Sequence, residues 1–331
     1  MLSWLYGSAL KLRNYSYDKQ ILRSIKVAKP VVSIGNITVG GTGKTPVVDN
    51  ILYWARQSGI KAGVVSRGYG GNYKGIVKVT SILKPEIFGD EPTMLSMRNK
   101  DIPIYLSPDR VAAASELIRN ENIDIIIADD AFQHRRLNRN LDIVIIDLLE
   151  TKENYNVLPF GRAREEISGI SRADIVILNK ANLVTEQQVV TIKNMLLPYC
   201  QKKCEFILGE YKAGKLISMK GELKKNGASF LLVSGIGRPR SFESLVRSKN
   251  INVVHHEIFK DHYKYSEQDM KKIIILAQEK GVQDIICTQK DAVKLNQLIN
   301  STTNLNWFYL DMHVELIGVH KLYDKINCLC S

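Results

Sequence analysis

The chain has 331 residues, 45% of them apolar, which is enough for one large α/β domain or two lobes and excludes a disordered protein. Its 46 basic and 34 acidic residues give a net charge of +12, favouring an anionic partner: nucleic acid, a phosphorylated substrate or an anionic membrane surface. No run of about 20 apolar residues exists to span a bilayer, and the five cysteines form neither a paired framework nor a zinc spacing, as in a reducing cytosol.

Within residues 1–29, Leu2, Leu5, Ala9 and Leu12 recur at helical spacing, with Trp4 and Tyr6 near one end. Lys11, Arg13, Lys19, Arg23, Lys26 and Lys29 follow. A short apolar face beside cations reads as an amphipathic helix anchored at a membrane surface. The same pattern also suits a helix packed on the protein's own core. The segment is too short to span and has no small-residue cleavage site of a secretory signal.

The apolar run Pro30 to Asn36 leads into Thr38-Val39-Gly40-Gly41-Thr42-Gly43-Lys44-Thr45 and then a helical pattern, Pro46 to Gln57. Strand, glycine turn, Lys-Thr and helix is the context of a nucleotide phosphate site. Gly40, Gly41, Thr42 and Gly43 let backbone N–H groups approach phosphate, and the helix N-terminus adds partial positive charge. Lys44 can reach the β- and γ-phosphates of ATP, and the Thr45 hydroxyl can ligate Mg²⁺. Thr38 and Val39 depart from the commonest loop patterns, so this is a P-loop of a side branch.

Strands are expected at Ile60 to Arg67, Pro103 to Leu106, Ile123 to Asp130, Leu141 to Asp147 and Ala173 to Asn179, with a helix over Asp109 to Asn120 capped by Asp109. Uninterrupted apolar strands alternating with helices predict a P-loop NTPase-like α/β fold, its mostly parallel sheet flanked by helices on both faces. Asp129 and Asp130 close one such strand at its carboxyl end, where open α/β sheets bind ligands. Two carboxylates there suit Mg²⁺ as partners of Thr45, or form a structural pair.

Several loops carry further candidates. Gln133, His134, Arg135 and Arg136 follow the carboxylates and suit phosphate or substrate, although a lone histidine there also suits a structural role. Arg67 in Ser66 to Gly71 and Arg162 in Leu158 to Glu165 could clamp an anion or sit in ordinary turns. Asp90 could cap a helix, act as a base or ligate a metal. Asp261-His262 could remove a hydroxyl proton. Asn179-Lys180 ends a strand, as do pairs near the base in some P-loop families, but Asn182 replaces the Asp that would strengthen the signal.

A lysine-rich, poorly periodic stretch near Cys200 to Lys225 suggests a boundary. Strand–helix alternation resumes beyond it at Ser229 to Val233, Ser241 to Arg247, Asn252 to Ile258, Ser266 to Lys280, Asp284 to Thr288 and Trp307 to Leu310, giving a second, smaller α/β lobe. The expected organisation is a surface helix in 1–29, a P-loop core in 30–210 and a C-terminal lobe in 211–331.

Nine segments in order resemble the lipid A 4′-kinases (tetraacyldisaccharide 4′-kinases). They are Ser3 to Gly7, Gly35 to Pro46, Val65 to Gly71, Gly89 to Pro92, Asp129 to His134, Leu158 to Gly161, Gly235 to Pro239, Phe259 to His262 and Thr288 to Asp291. The resemblance implies transfer of the γ-phosphoryl of ATP to the 4′-hydroxyl of an acylated disaccharide 1-phosphate by a peripheral enzyme on the cytoplasmic face of the bacterial inner membrane. It also implies that Asp90 and His262 activate the hydroxyl, that Asp129 and Asp130 serve Mg²⁺, and that two lobes close over ATP. Ala131 and Gln289 replace the family's usual Gly and acidic residue. The N-terminal segment is shorter than the longest family versions, favouring a surface anchor over a span.

Two other classes compete. A switch ATPase or metallochaperone would share the phosphate loop and carboxylates but would not need Asp90 and His262. A nucleic-acid-binding protein would draw on the charge, yet no nucleic-acid module is recognisable and the cations are spread along the chain.

Overall fold

A computed structural model describes residues 2–80, 84–220, 228–302 and 304–330. The side chains of Leu2, Trp4, Leu5 and Tyr6, and residues 221–225 of the boundary stretch, lie outside the described residues.

After α1 (Leu2–Asp18), β1 (Val31–Asn36) leads through the glycine loop into α2 (Lys44–Gln57). β2 (Ala62–Ser66), β3 (Val77–Lys78), α3 (Pro85–Phe88), α4 (Asp90–Arg98), β4 (Ile104–Leu106), α5 (Arg110–Asn120), β5 (Ile125–Asp129), β6 (Leu141–Asp147), β7 (Ile175–Asn179) and α6 (Glu186–Leu196) make up the rest of the first half. β8 (Glu205–Lys220) leads to the second half, with β9 (Ser229–Ser234), α7 (Pro239–Arg247), β10 (Asn252–Ile258), α8 (Glu267–Glu279), β11 (Asp284–Thr288), α9 (Gln289–Thr302), β12 (Asn306–Ile317) and α10 (His320–Cys330).

The strands form one sheet in the order β10-β9-β11-β12-β8-β7-β6-β1-β5-β2-β4-β3. β1, β2 and β5 to β7 are buried at every residue, as apolar strands with both faces covered must be. Pairing is parallel within each half, except that β3 runs antiparallel to β4. The halves meet at one long antiparallel ribbon, β8 with β12.

That ribbon determines where the two halves aim their loops. β7 ends at Asn179, opposite Gly209 of β8. β11 ends at Thr288, opposite Leu310 of β12, which pairs with Leu216 of β8. Because β8 and β12 run in opposite directions, the carboxyl ends of both halves converge on the ribbon between residues 209 and 216. At about 3.3 Å per residue the interval is roughly 23 Å, the width of a cleft. Loops after β1, β5, β6 and β7 enter it from one side, and loops after β9, β10 and β11 from the other.

Glu205–Lys220, inside the stretch that reads as a poorly periodic boundary, is the longest strand, and the 210/211 division falls within it. Its residues are mostly half-buried, so apolar and charged side chains both fit and no clean alternation is written in the sequence. Asp109 caps α5 as expected, accepting from Val111 N at 3.0 Å.

α1 packs one face on the protein itself and leaves another exposed. Leu10, Arg13, Asn14 and Tyr17 are half-buried on one face. Arg13 donates to the Gln133 carbonyl, Arg135 donates to the Asn14 carbonyl at 2.9 Å and pairs with Asp18 at 2.6 Å, and Lys11 pairs with Glu166 at 2.9 Å. Leu12 on the other face is 68% exposed, and Ile21, just beyond the helix, is 69% exposed.

Candidate active site

The glycine loop is braced by side chains at two strand ends, those of β1 and β7. Gly40 and Gly43 have φ of 115° and 86°, conformations that admit glycine with least strain. Asn36 donates to the Thr38 carbonyl at 2.6 Å and to Thr42 Oγ1 at 2.9 Å, and its Oδ1 accepts from Lys44 Nζ at 3.3 Å. Asn179 donates to the Thr42 carbonyl at 2.9 Å. Lys180 donates to the Gly41 carbonyl at 3.0 Å and to Asp147 at 2.6 Å. The Asn179-Lys180 pair thus braces the phosphate loop's backbone. With its carbonyls occupied, the loop can present its N–H groups to an anion.

Lys44 and Thr45 open α2 and are both buried. Lys44 Nζ lies 3.4 Å from Asp130 Oδ1. Arg164 grips Asp130 with one nitrogen, at 2.7 and 2.8 Å to its two oxygens. Burial alone would raise the Asp130 carboxyl, but Lys44 and Arg164 outweigh it and hold the group at about 2. Asp129 differs. Its Oδ2 accepts from Ser66 Oγ at 3.0 Å, while its Oδ1 is buried without a partner. Burial, then the charges of Glu91 and Asp130, push it up to about 7.

An orphaned carboxylate oxygen near a buried threonine at the start of the helix is hard-oxygen chemistry that fits Mg²⁺. Among the described residues no three His, Cys, Asp or Glu side chains form a ready-made metal cage. That is consistent with a metal held by one or two carboxylates plus nucleotide phosphates and water.

Gly89 has φ 87° and turns the chain into α4, whose first residue is Asp90. The Asp90 side chain faces His262, with Oδ2 3.2 Å from Nδ1. It lies 3.8 Å from Lys294. Desolvation works against its ionised form, but the His262 hydrogen bond and the Lys294 and Lys290 charges hold the carboxyl below its ordinary value. Lys290 Nζ is 3.0 Å from His262 Nε2, and the Tyr69 ring stands edge-on to the imidazole at 6.0 Å. Glu91, next to Asp90, acts electrostatically on Asp129, so Asp90 lies in the same neighbourhood as the carboxylate pair.

The other candidates lie around this centre. Arg162 pairs with Glu150 at 3.0 Å, and its carbonyl accepts from Val39 N at 2.7 Å, tying the Leu158–Glu165 loop to the phosphate loop. Arg238, from the second half, reaches the same Glu150 at 2.9 Å. Gln133 donates to the Asn36 carbonyl and to Glu165, both at 2.8 Å. His134 is held at about 4 by burial and then by the neighbouring Arg110 charge, so it is neutral at physiological pH. Arg67 is exposed in the loop after β2. Sequence reasoning did not assign Asn36, Glu91, Arg164, Arg238, Lys290 or Lys294. The i, i+4 spacing of Lys290 and Lys294 behind a strand end was a usable signal for that pair.

A glycine loop running into a buried Lys44 and Thr45, with Asp130 3.4 Å from the lysine, is the phosphate site of a P-loop enzyme. The chain is a P-loop kinase. The family model described as tetraacyldisaccharide-1-P 4′-kinase (LpxK) matches residues 1–330, and the chain belongs to this family. It is 38% identical to a tetraacyldisaccharide 4′-kinase of Bdellovibrio bacteriovorus over 92% of this chain and 91% of that one. It is 36% identical to the Chlorobium phaeobacteroides enzyme of the same name over 97% and 93%. A crystal structure of LpxK from Aquifex aeolicus in complex with ATP superposes with a TM-score of 0.78 at 27% identity, covering 100% of this chain and 98% of that one.

Proposed function

We propose that this kinase phosphorylates the 4′-hydroxyl of a tetraacyl disaccharide 1-phosphate in lipid A biosynthesis, with Asp90 as the base. Family membership along the whole chain carries the activity, and the Asp90–His262 contact supports the base.

In this reading Gly40 to Thr45 cradle the ATP phosphates, and Lys44 turns from Asp130 toward the γ-phosphate. Thr45 and Asp129 would hold Mg²⁺, with Asp130 as the anchor that Lys44 and Arg164 share. Bound Mg²⁺ supplies positive charge against the charge developing on the phosphate oxygens. Asp90 takes the hydroxyl proton as the sugar oxygen bonds to phosphorus and the bond to ADP breaks; His262 orients the carboxylate. Arg67, Gln133, His134 and Arg162 border the acceptor space.

Residues 1–29 are the membrane-contact segment, 30–210 the P-loop core and 211–331 the second lobe, whose β9 to β11 part closes on the first about the β8/β12 ribbon while α10 stays packed on α2, with Tyr323 stacked on Trp54 at 4.2 Å. No described helix is long and apolar enough to cross a membrane. The exposed Leu12, Ile21, Leu22 and Ile25 beside Lys11, Lys19 and Lys26 suit the acidic inner-membrane surface on the cytoplasmic side, where each cation contributes about 1 kcal/mol.

The test is transfer of label from γ-labelled ATP to the tetraacyl disaccharide 1-phosphate in detergent micelles. Lys44-dependent labelled lipid is expected. ATP hydrolysis without labelled lipid, in a folded sample, would overturn the reading.

A further inference from the structure

The base couple has cationic neighbours on α9 that the proposed chemistry does not use. Lys290 and Lys294 stand one turn apart near the start of this helix. Lys294 is almost fully buried, pairs with the buried Asp291 at 2.9 Å and lies 3.8 Å from Asp90 Oδ2. Asp291 is fixed by Gly235 N at 2.9 Å and Thr288 Oγ1 at 2.6 Å, so the start of α9 is firmly seated. Lys290 extends from it to His262 Nε2 at 3.0 Å, with Asp261 at 3.7 Å.

An ammonium carries three donors and no acceptor. The Lys290–His262 contact therefore requires a lone pair on Nε2, and a neutral imidazole with a lone pair on Nε2 carries its proton on Nδ1. Nδ1 is the atom that faces Asp90. The groups around this ring are Asp90 from α4, Lys290 from α9, the adjacent Asp261 and the uncharged Tyr69 ring. The turn holding His262 is itself constrained, with φ 58° at His262 and its N–H bonded to the Gly235 carbonyl at 3.1 Å.

We propose that Lys290 is a positioning residue for phosphoryl transfer: by donating to Nε2 it fixes His262 in the Nδ1–H tautomer that donates to Asp90. It also places a positive charge beside the couple. Lys294 adds a second positive charge beside the same carboxylate. This inference rests on Asp90 and His262 being the base couple.

The experiment combines ¹⁵N-histidine NMR of the full-length protein in micelles at neutral pH with kinetics of Lys290→Met, Lys290→Arg and His262→Ala. The last variant identifies the His262 signals among six histidines. The expected result is an Nδ1–H tautomer for His262 in the unsubstituted protein. In Lys290→Met the tautomers mix and kcat falls about 10-fold with KM for ATP unchanged. Lys290→Arg, whose guanidinium also only donates, keeps the tautomer and most of the rate. An Nε2–H tautomer or an imidazolium at His262 in the unsubstituted protein overturns the proposal, whatever the Lys290 variants do. Full kcat in Lys290→Met beside an impaired His262→Ala overturns it too. Full kcat in His262→Ala would instead remove the base assignment itself.

Discussion

His262 Nδ1 stands 3.2 Å from Asp90 Oδ2, although 172 residues separate them. Each residue sits on a loop or helix start from a different half of the sheet. If the pair abstracts the acceptor proton, Asp90→Asn should lower kcat by about 10²–10⁴-fold. His262→Ala should cost less, roughly 10–100-fold, because the carboxylate remains. ATP affinity, measured by calorimetry, should change little in either. Unaltered turnover in Asp90→Asn would refute its role.

Lys44→Ala should remove ATP use and leave the fold intact. Asp130 would still be held by Arg164 on both oxygens, so no buried carboxylate is stranded. A loss of about 10²–10³-fold in kcat, with a near-native melting temperature, is the expected outcome. A large drop in melting temperature would show that Lys44 is structural instead.

Gly43→Ala should damage the loop through geometry. A Cβ there would meet Tyr211 Oη and Asn179 Nδ2, on a backbone at φ 86°. The left-handed conformation alone costs about 1–2 kcal/mol for a residue with a side chain. Calorimetry should register both the destabilisation and lost nucleotide binding. Ala at Gly41, where a Cβ meets nothing within 4 Å, is the matched control for space.

Asp129 predicts a pH-dependent response to Mg²⁺. Its folded-state carboxyl, at about 7, lies above the unfolded value of about 3.9. Between these values the folded chain binds a proton that the unfolded chain has lost, so this group's contribution to stability falls as pH rises from about 4 through 7. Metal binding needs the ionised form. The rise in melting temperature produced by Mg²⁺ should therefore be larger at about pH 8 than at about pH 6. Asp129→Asn should flatten the difference; a Mg²⁺ effect independent of pH would contradict the assignment.

Leu12→Glu with Ile21→Glu should weaken co-sedimentation with anionic vesicles. Both side chains are mostly exposed, so the melting temperature should stay within a degree or two, as is usual for surface substitutions. Undiminished vesicle binding would place the membrane contact elsewhere.

Much of the fold is legible because fully buried parallel strands leave a plain apolar signature: Leu141–Asp147 and Asp284–Thr288 have the bounds their composition suggests. β12 is longer than Trp307 to Leu310 because Asp311, His313 and Glu315 alternate with buried Val314 and Leu316 in a ribbon with one wetter face. The phosphate loop is local and could be read from spacing. The Asp90–His262 couple is not local; only family resemblance joined those segments, since nothing in either one specifies the other. Asn36 escaped assignment because its task is to occupy a backbone carbonyl and brace the loop, which no motif records.

The shared sheet also shapes how the chain must assemble. β8 pairs with β12, about a hundred residues further along. During synthesis the outer edge of β8 stays an open row of backbone donors and acceptors until β12 emerges from the ribosome. A fragment ending near residue 220 would keep that edge permanently bare. Aggregation of such truncations, and dependence on a chaperone during this interval, are the consequences of building one sheet from both ends of the chain.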